Sequence, residues 1–247
     1  MRKVRWGVLS TALIGTEKVI PAMQRGQLCD IVAIASRSPD KAEATAARLG
    51  IPKAYGSYEA MLADPEVEAI YNPLPNHMHV PWSIKALDAG KHVLCEKPIG
   101  LSVAEARRMA EAAQRSGRVL MEAFMYRFHP AWVTLRQLVD GGRIGEVRGV
   151  QSWFSFYAAD PDDIRNRAET GGGAMLDLGC YSVNVARMLL GGEPTGISAA
   201  VRRDPESGVD TLVAAVLEFG DRLASFAVSI RAEADQRVTV YGGEGRV

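Results

Sequence analysis

The sequence predicts an α/β protein: a parallel-sheet domain, then an α+β domain with a mostly antiparallel open sheet. Two observations predict it. Over roughly residues 1–122, short apolar runs alternate with helical patterns, as strands joined by crossover helices do. Over residues 123–247 the rhythm changes to long, alternating strands separated by turn residues. The first half therefore reads as a Rossmann-type domain (1–122), the second as a substrate and oligomerisation domain (123–247).

In order, Val4–Leu9 is the first strand and Ile31–Ala35 the next. Between them Thr16–Arg25 carries helical periodicity, with Pro21 expected to kink or shorten it. Ser38-Pro39-Asp40 opens a second helix: Ser38 can accept from the orphan amides, Pro39 needs no N–H there, and Asp40 complements the positive end. Gly50 is placed to end it. Glu68–Tyr71, His92–Cys95 and Val119–Glu122 are further short strands. Ser102-Val103-Ala104-Glu105 is a capping box whose helix Gly117 closes. Pro130–Leu138 is helical, Val147–Phe156 a strand, Ala174–Leu190 a long helix. Ile197–Arg202, Thr211–Phe219, Leu223–Ile230 and Arg237–Tyr241 complete the second sheet. Tyr241–Val247 reads as a turn into a further strand, so this sheet is expected to be incomplete at its C-terminus, its edge bare or covered by a partner.

The 247 residues are 47% hydrophobic and 23% charged, an ordinary globular balance able to bury a core. Twenty-nine basic residues balance 29 acidic ones, so no field draws the chain to nucleic acid or an anionic membrane. Cys29, Cys95 and Cys180 are scattered and show no paired spacing, which argues against a disulfide framework or a zinc site. His77 and His79 are one residue apart, a poor spacing for metal ligands, and no metal is expected. The start, MRKVRWGVLS, lacks a signal-peptide core, and no run approaches the ~18 residues of a membrane span. The expected location is cytoplasmic.

Four segments carry candidate chemistry. The turn after the first strand, Ser10-Thr11-Ala12-Leu13-Ile14-Gly15, stands where a dinucleotide fingerprint reads G-x-G-x-x-G. Only the last glycine is present, yet Ser and Ala are small enough for a pyrophosphate to approach the helix start. A small-residue turn of this kind also serves plain packing. At the end of the second strand, NAD enzymes place an acidic residue about 20 positions past that turn. Here stand Ser36 and Arg37, with Lys41 a turn further, groups that suit a 2′-phosphate where a carboxylate would repel it. Glu96-Lys97-Pro98 follows a strand at the end where open α/β sheets bind ligands, and Lys97 is placed to bond a reacting hydroxyl. Finally, Gly171–Tyr181 puts Asp177 and Tyr181 four apart on one helical face, after glycines that let a backbone or a ligand come close.

Asn76-His77-Met78-His79, the run Ala89-Gly90-Lys91-His92-Val93-Leu94-Cys95-Glu96-Lys97-Pro98, Met125–Pro130 and Gly171–Tyr181 together resemble the glucose–fructose oxidoreductase, inositol dehydrogenase and rhizopine-catabolism (Gfo/Idh/MocA) family. The branch resembled includes NADP-dependent xylose dehydrogenases and dimeric dihydrodiol dehydrogenases. The resemblance implies an oxidoreductase moving a hydride between NADP (NAD being the second choice) and a sugar or cyclic trans-diol. Lys97 would orient the hydroxyl, Tyr181 would exchange its proton, and Asp177 would contact substrate or cofactor. Ser10, Thr11, Ala12, Leu13, Ile14, Ser36, Arg37, Lys41, Pro73, Asn76, His79, Glu96 and Lys97 would line the cofactor. Arg127, Arg165, Asp177 and Tyr181 would meet the substrate, a sugar or polyol. The C-terminal sheet would join copies into a homo-oligomer. Three rivals stand beside this reading: a non-catalytic dinucleotide or sugar sensor, an NAD-assisted glycosidase, and a truncated inactive fragment.

Overall fold

Strand β1 (Val4–Leu9) is central in a parallel sheet of order β3-β2-β1-β4-β5-β6. The others are β2 (Cys29–Ala35), β3 (Lys53–Tyr55), β4 (Ala69–Asn72), β5 (His92–Cys95) and β6 (Leu120–Glu122). The computed structural model describes residues 2–247. They form two compact units, one ending at Ala123 and one running from Phe124 to Val247. Among the described residues no helix is long and apolar enough to cross a membrane.

Apolar faces of crossing helices bury both sides of the first sheet. Val8, Leu9, Ile34, Ile70 and Tyr71 are fully buried within it. The first crossover differs from the single kinked helix expected. A π-helical turn, Ile14–Val19, runs into the regular helix α1 (Ile20–Arg25), whose first turn holds Pro21. Proline cannot donate to the preceding turn and its ring crowds the carbonyl four residues back. A wider turn upstream relieves that clash.

Helix α2 (Pro39–Leu49) starts and ends as predicted, with Pro39 in its first turn and Gly50 left-handed at φ 65°. Ser38 occupies the cap position without a side-chain cap bond. Sequence patterning misses β3 and the short helix α3 (Tyr58–Leu62), and also α4 (Asn76–Asp88), which carries Pro81 inside it. In α5 (Val103–Ser116) the capping box forms in shifted form: Ser102 Oγ accepts from the Glu105 amide at 3.2 Å, while Glu105 reaches back to the Leu101 amide at 2.8 Å.

In the second unit, α6 (Pro130–Asp140) and α7 (Cys180–Leu190) accompany β7 (Val147–Tyr157), β8 (Gly196–Arg203), β9 (Asp210–Phe219), β10 (Arg222–Ser229) and β11 (Arg231–Gly242). The sheet order is β11-β7-β10-β9-β8, with β7 and β10 parallel and the other three pairs antiparallel. Residues such as Val213, Leu217, Phe226 and Val228 form the core on one face. β11 begins six residues before the strand the sequence suggested, because Arg231 already pairs with Tyr157. Beyond it the chain turns back, and Val247 exchanges both backbone bonds with Val240 at 2.8 and 3.0 Å. Val247 thus pairs with part of the edge expected to be bare.

Candidate active-site residues

Ser10 is the one non-glycine residue with positive φ, 85°, among those described. This is the position of the fingerprint's first glycine, and the backbone adopts the shape glycine would take despite the side chain. Two bonds hold it there: its amide donates to the Ala35 carbonyl at 2.8 Å, and its Oγ accepts from the Ala12 amide at 3.2 Å. Leu13 and Ile14 expose apolar side chains, 76% and 42% accessible, at the start of the helix. A Cβ on Gly15 would touch Pro73 at 3.6 Å, which sets Pro73 directly behind the turn.

At the end of β2 no carboxylate is present. Ser36 is buried, and its Oγ accepts from the Ser38 amide at 3.2 Å. Arg37 is exposed, as is Lys41 on α2. Of the predicted phosphate contacts, the two cations therefore present themselves to solvent, while the Ser36 hydroxyl bonds its own turn.

The carboxyl ends of β4 and β5 are tied together. Asn72, fully buried, donates to Ser83 Oγ at 3.0 Å and to the His79 carbonyl at 3.1 Å, and accepts from the Leu74 amide at 3.2 Å. The Glu96 amide donates to the Asn72 carbonyl at 3.0 Å, and Tyr71 Oη donates to Glu96 Oε1 at 2.7 Å. Lys97 follows, its amide 3.3 Å from Glu96 Oε2, and its peptide bond to Pro98 is cis. The Ile99 amide donates to Glu122 at 2.8 Å. His79 lies beneath this turn with no accessible surface. Nδ1 faces the Pro98 carbonyl and Nε2 the Leu74 carbonyl, both at 2.7 Å. Burial pulls its pKa below the usual value while the two carbonyls oppose that shift. The expectation of direct cofactor contact is corrected for His79: its ring is enclosed and both nitrogens are committed to backbone. Asn76, half-buried, opens α4 beside it.

In the second unit a π-helical turn, Met175–Gly179, leads into α7, so Asp177 and Tyr181 sit across a widened junction and not on one regular helix. Such turns recur at functional sites. Asp177 is buried, and its Oδ2 accepts from Arg165 Nε at 2.8 Å. Burial works against the Arg165 charge, but Asp177 and Asp163 more than compensate and hold the guanidinium protonated. The Tyr181 ring is bounded by Phe124, Phe154 and Tyr126, at centroid distances of 5.2, 5.7 and 6.0 Å. Tyr126 in turn donates to Asn184 at 2.6 Å. Arg127, on the 3-10 turn Met125–Phe128, is exposed.

The glycines before this helix serve backbone approach. A Cβ on Gly172 would come within 2.5 Å of the Arg165 carbonyl oxygen. One on Gly173, at φ 111°, would overlap the Asp210 carboxylate. That carboxylate accepts from the Met175 amide at 2.6 Å and so caps the helix carrying Asp177. Sequence reading missed Asp210, since nothing local marks a partner 35 residues away. It also missed the aromatic surround of Tyr181, which two separate segments, the turn at Phe124–Tyr126 and strand β7, supply.

The geometry agrees with what the chain resembles. Residues 4–124 match the family model described as "Oxidoreductase family, NAD-binding Rossmann fold", and residues 132–247 match the GFO/IDH/MocA C-terminal domain. An uncharacterized oxidoreductase of Rhizobium meliloti is 48% identical over 243 residues, 98% of this chain and 73% of that one. The D-xylose 1-dehydrogenase (NADP(+)) 2 of Haloferax volcanii is 46% identical over 215 residues, 87% of this chain and 65% of that one. The crystal structure of KijD10, a 3-ketoreductase from Actinomadura kijaniata in complex with NADP and TDP-benzene, superposes with a TM-score of 0.91 at 32% identity, covering 99% of this chain and 75% of that one. Matched along nearly its whole length, the chain belongs to the GFO/IDH/MocA family of oxidoreductases.

Proposed function

We propose that the protein oxidises a secondary alcohol carbon of a sugar with NADP, or reduces the corresponding ketone or lactone carbon. The observation that carries this reading is the anchoring of Lys97: its turn is fixed by Glu96, by His79 through Pro98 and by Glu122 through Ile99. A lysine whose backbone is fixed at the carboxyl end of the interior strand β5 is suited to orienting a reacting hydroxyl.

The residues present fit the cofactor. The turn at Ser10 has the glycine conformation, and Leu13 and Ile14 offer apolar cover. The end of β2 presents Arg37 without a carboxylate, which favours the 2′-phosphate of NADP over the bare ribose of NAD. When bound, NADP supplies the hydride acceptor. In the oxidative direction Tyr181 takes the hydroxyl proton as the carbon gives up its hydride, and Lys97 orients that hydroxyl. Tyrosine ordinarily titrates near 10, and taking up the proton requires its phenolate form. Asp177, whose Oδ2 accepts from Arg165, contacts the substrate.

The second unit also suits assembly with a second copy. Across its outer sheet face, Arg237, Trp153, Ala227, Ala214 and Ala200 lie in register on five successive strands. They line a shallow trough of ≈ 860 Å³ rimmed by Tyr241 and Val216. Small side chains let another sheet pack closely.

The test is to follow reduction of NADP with D-xylose, other aldoses and cyclic trans-diols. NADPH formation with an aldose is the expected result. Cofactor binding without turnover on any of them would favour the sensor reading, and release of free sugar from a nitrophenyl glycoside with no net NADPH the glycosidase reading.

A further inference from the structure

One buried side chain, Tyr71, reaches both turns of the first unit that the proposed reaction needs. It stands near the end of β4, in register with Val8 of β1 on one side and Leu94 of β5 on the other. It has no accessible surface and packs in an apolar cluster with Val8, Ile20 and Ile34. Its ring lies behind the start of the first crossover: a Cβ on Gly15, itself buried, would be 3.7 Å from Tyr71 Cε1. Its hydroxyl donates to Glu96 Oε1 at 2.7 Å. The other oxygen of that carboxylate accepts from the Lys97 amide at 3.3 Å. Phenylalanine would fill the same apolar site without burying a hydroxyl, so the bond to Glu96 is what a tyrosine adds here. Hydrogen bonds to an ionised acceptor are also the stronger kind.

We propose that Tyr71 is a positioning residue for hydride transfer: its ring backs the cofactor turn, and its hydroxyl holds Glu96 so that Lys97 is presented in fixed register with that turn. This rests on the reading that Lys97 orients the reacting hydroxyl. Donors on both oxygens fix the plane of the Glu96 carboxylate, and the Lys97 backbone is fixed with it. A ring enclosed in a close-packed core shifts less than an exposed loop does. The turn at Gly15 and the turn at Lys97 are therefore both referred to one rigid group. Such placement matters because displacing an orienting group by about 1 Å costs on the order of 10²-fold in rate. Tyr71 meets no reacting atom in this arrangement and acts through Glu96. The ring and the hydroxyl carry separate tasks, so removing the hydroxyl alone acts on the rate and spares dinucleotide binding.

The experiment compares wild type, Tyr71→Phe, Glu96→Ala and the double variant of the 247-residue chain. Three quantities are read: hydrogen exchange of the Lys97 amide by NMR without cofactor, NADPH affinity by fluorescence titration, and kcat with an aldose. Thermal unfolding checks that Tyr71→Phe folds. Should it fail to, Tyr71→Met, which fills much of the same space without a hydroxyl, is read for exchange and kcat. Tyr71→Phe should speed exchange of the Lys97 amide by about tenfold and lower kcat by about 5- to 50-fold. Its NADPH affinity should stay within about twofold of wild type. In the Glu96→Ala background, Tyr71→Phe should add no further loss of kcat, because the tyrosine acts through the carboxylate. An unchanged exchange rate, a loss of NADPH affinity as large as the loss of kcat, or full additivity with Glu96→Ala would overturn the proposal. If the wild type reduces NADP with no aldose or trans-diol, the reading of Lys97 falls and takes this inference with it. If the wild type turns over and Tyr71→Phe keeps its kcat, only the role of Tyr71 falls.

Discussion

His79 Nδ1 lies 2.7 Å from the Pro98 carbonyl oxygen, so a side chain of α4 braces the turn that carries Lys97. Its other nitrogen meets the Leu74 carbonyl at the same distance. Because burial lowers its pKa, the folded protein disfavours the second ring proton, whereas the unfolded chain takes it up near the ordinary value of about 6.5. The stability tied to this group is therefore complete above pH ~6.5 and declines as the pH falls toward the lower folded value. Urea unfolding between pH 8 and pH 5 should show that decline, and His79→Gln should flatten it while costing about 1–3 kcal/mol at pH 8. Stability that rises on acidification through this window would mean that both nitrogens carry protons in the fold.

Gly173→Ala should lower stability by about 2–4 kcal/mol, since the position is left-handed and the added methyl overlaps Asp210. Asp210 caps the Met175 amide, so turnover should fall as well. Gly243→Ala is the control, because its Cβ meets nothing within 4 Å. Equal melting temperatures for the two variants would contradict this account of the glycine run.

Ser10→Ala and Ser10→Gly both delete the bond to the Ala12 amide, but only alanine retains the strain at φ 85°. Glycine relieves that strain and loses part of the gain to unfolded-chain entropy. Ser10→Ala should therefore be the less stable by ~0.5–1 kcal/mol, measured by chemical denaturation. The reverse order would show that the turn does not need the glycine conformation.

Much of this architecture was legible because its signals are local. Pro39 and Gly50 bound α2, Ser102 and Glu105 open α5, and the apolar runs of β1, β4 and β5 stand out by themselves. The three-residue β3 and five-residue α3 were missed because neither is long enough to show a period. α4 was missed because histidines and Pro81 blur its pattern. Lys97, Asp177 and Tyr181 are candidates that motif and spacing alone single out. Their supports are not singled out in this way: His79, Asp210 and the rings around Tyr181 act through contacts that only the fold creates. Of the predicted cofactor residues, His79 was misplaced because a buried structural histidine and an exposed binding one look alike in a sequence.

Hydride transfer with Tyr181 as the proton-exchanging group is probed by single-turnover NADP reduction in Tyr181→Phe beside wild type, with an aldose that the wild type oxidises. Phenylalanine keeps the ring among Phe124, Tyr126 and Phe154 and removes only the hydroxyl. Unchanged NADPH binding and a rate lower by about 10²–10⁴-fold are expected. Turnover at the wild-type rate would contradict that role of Tyr181.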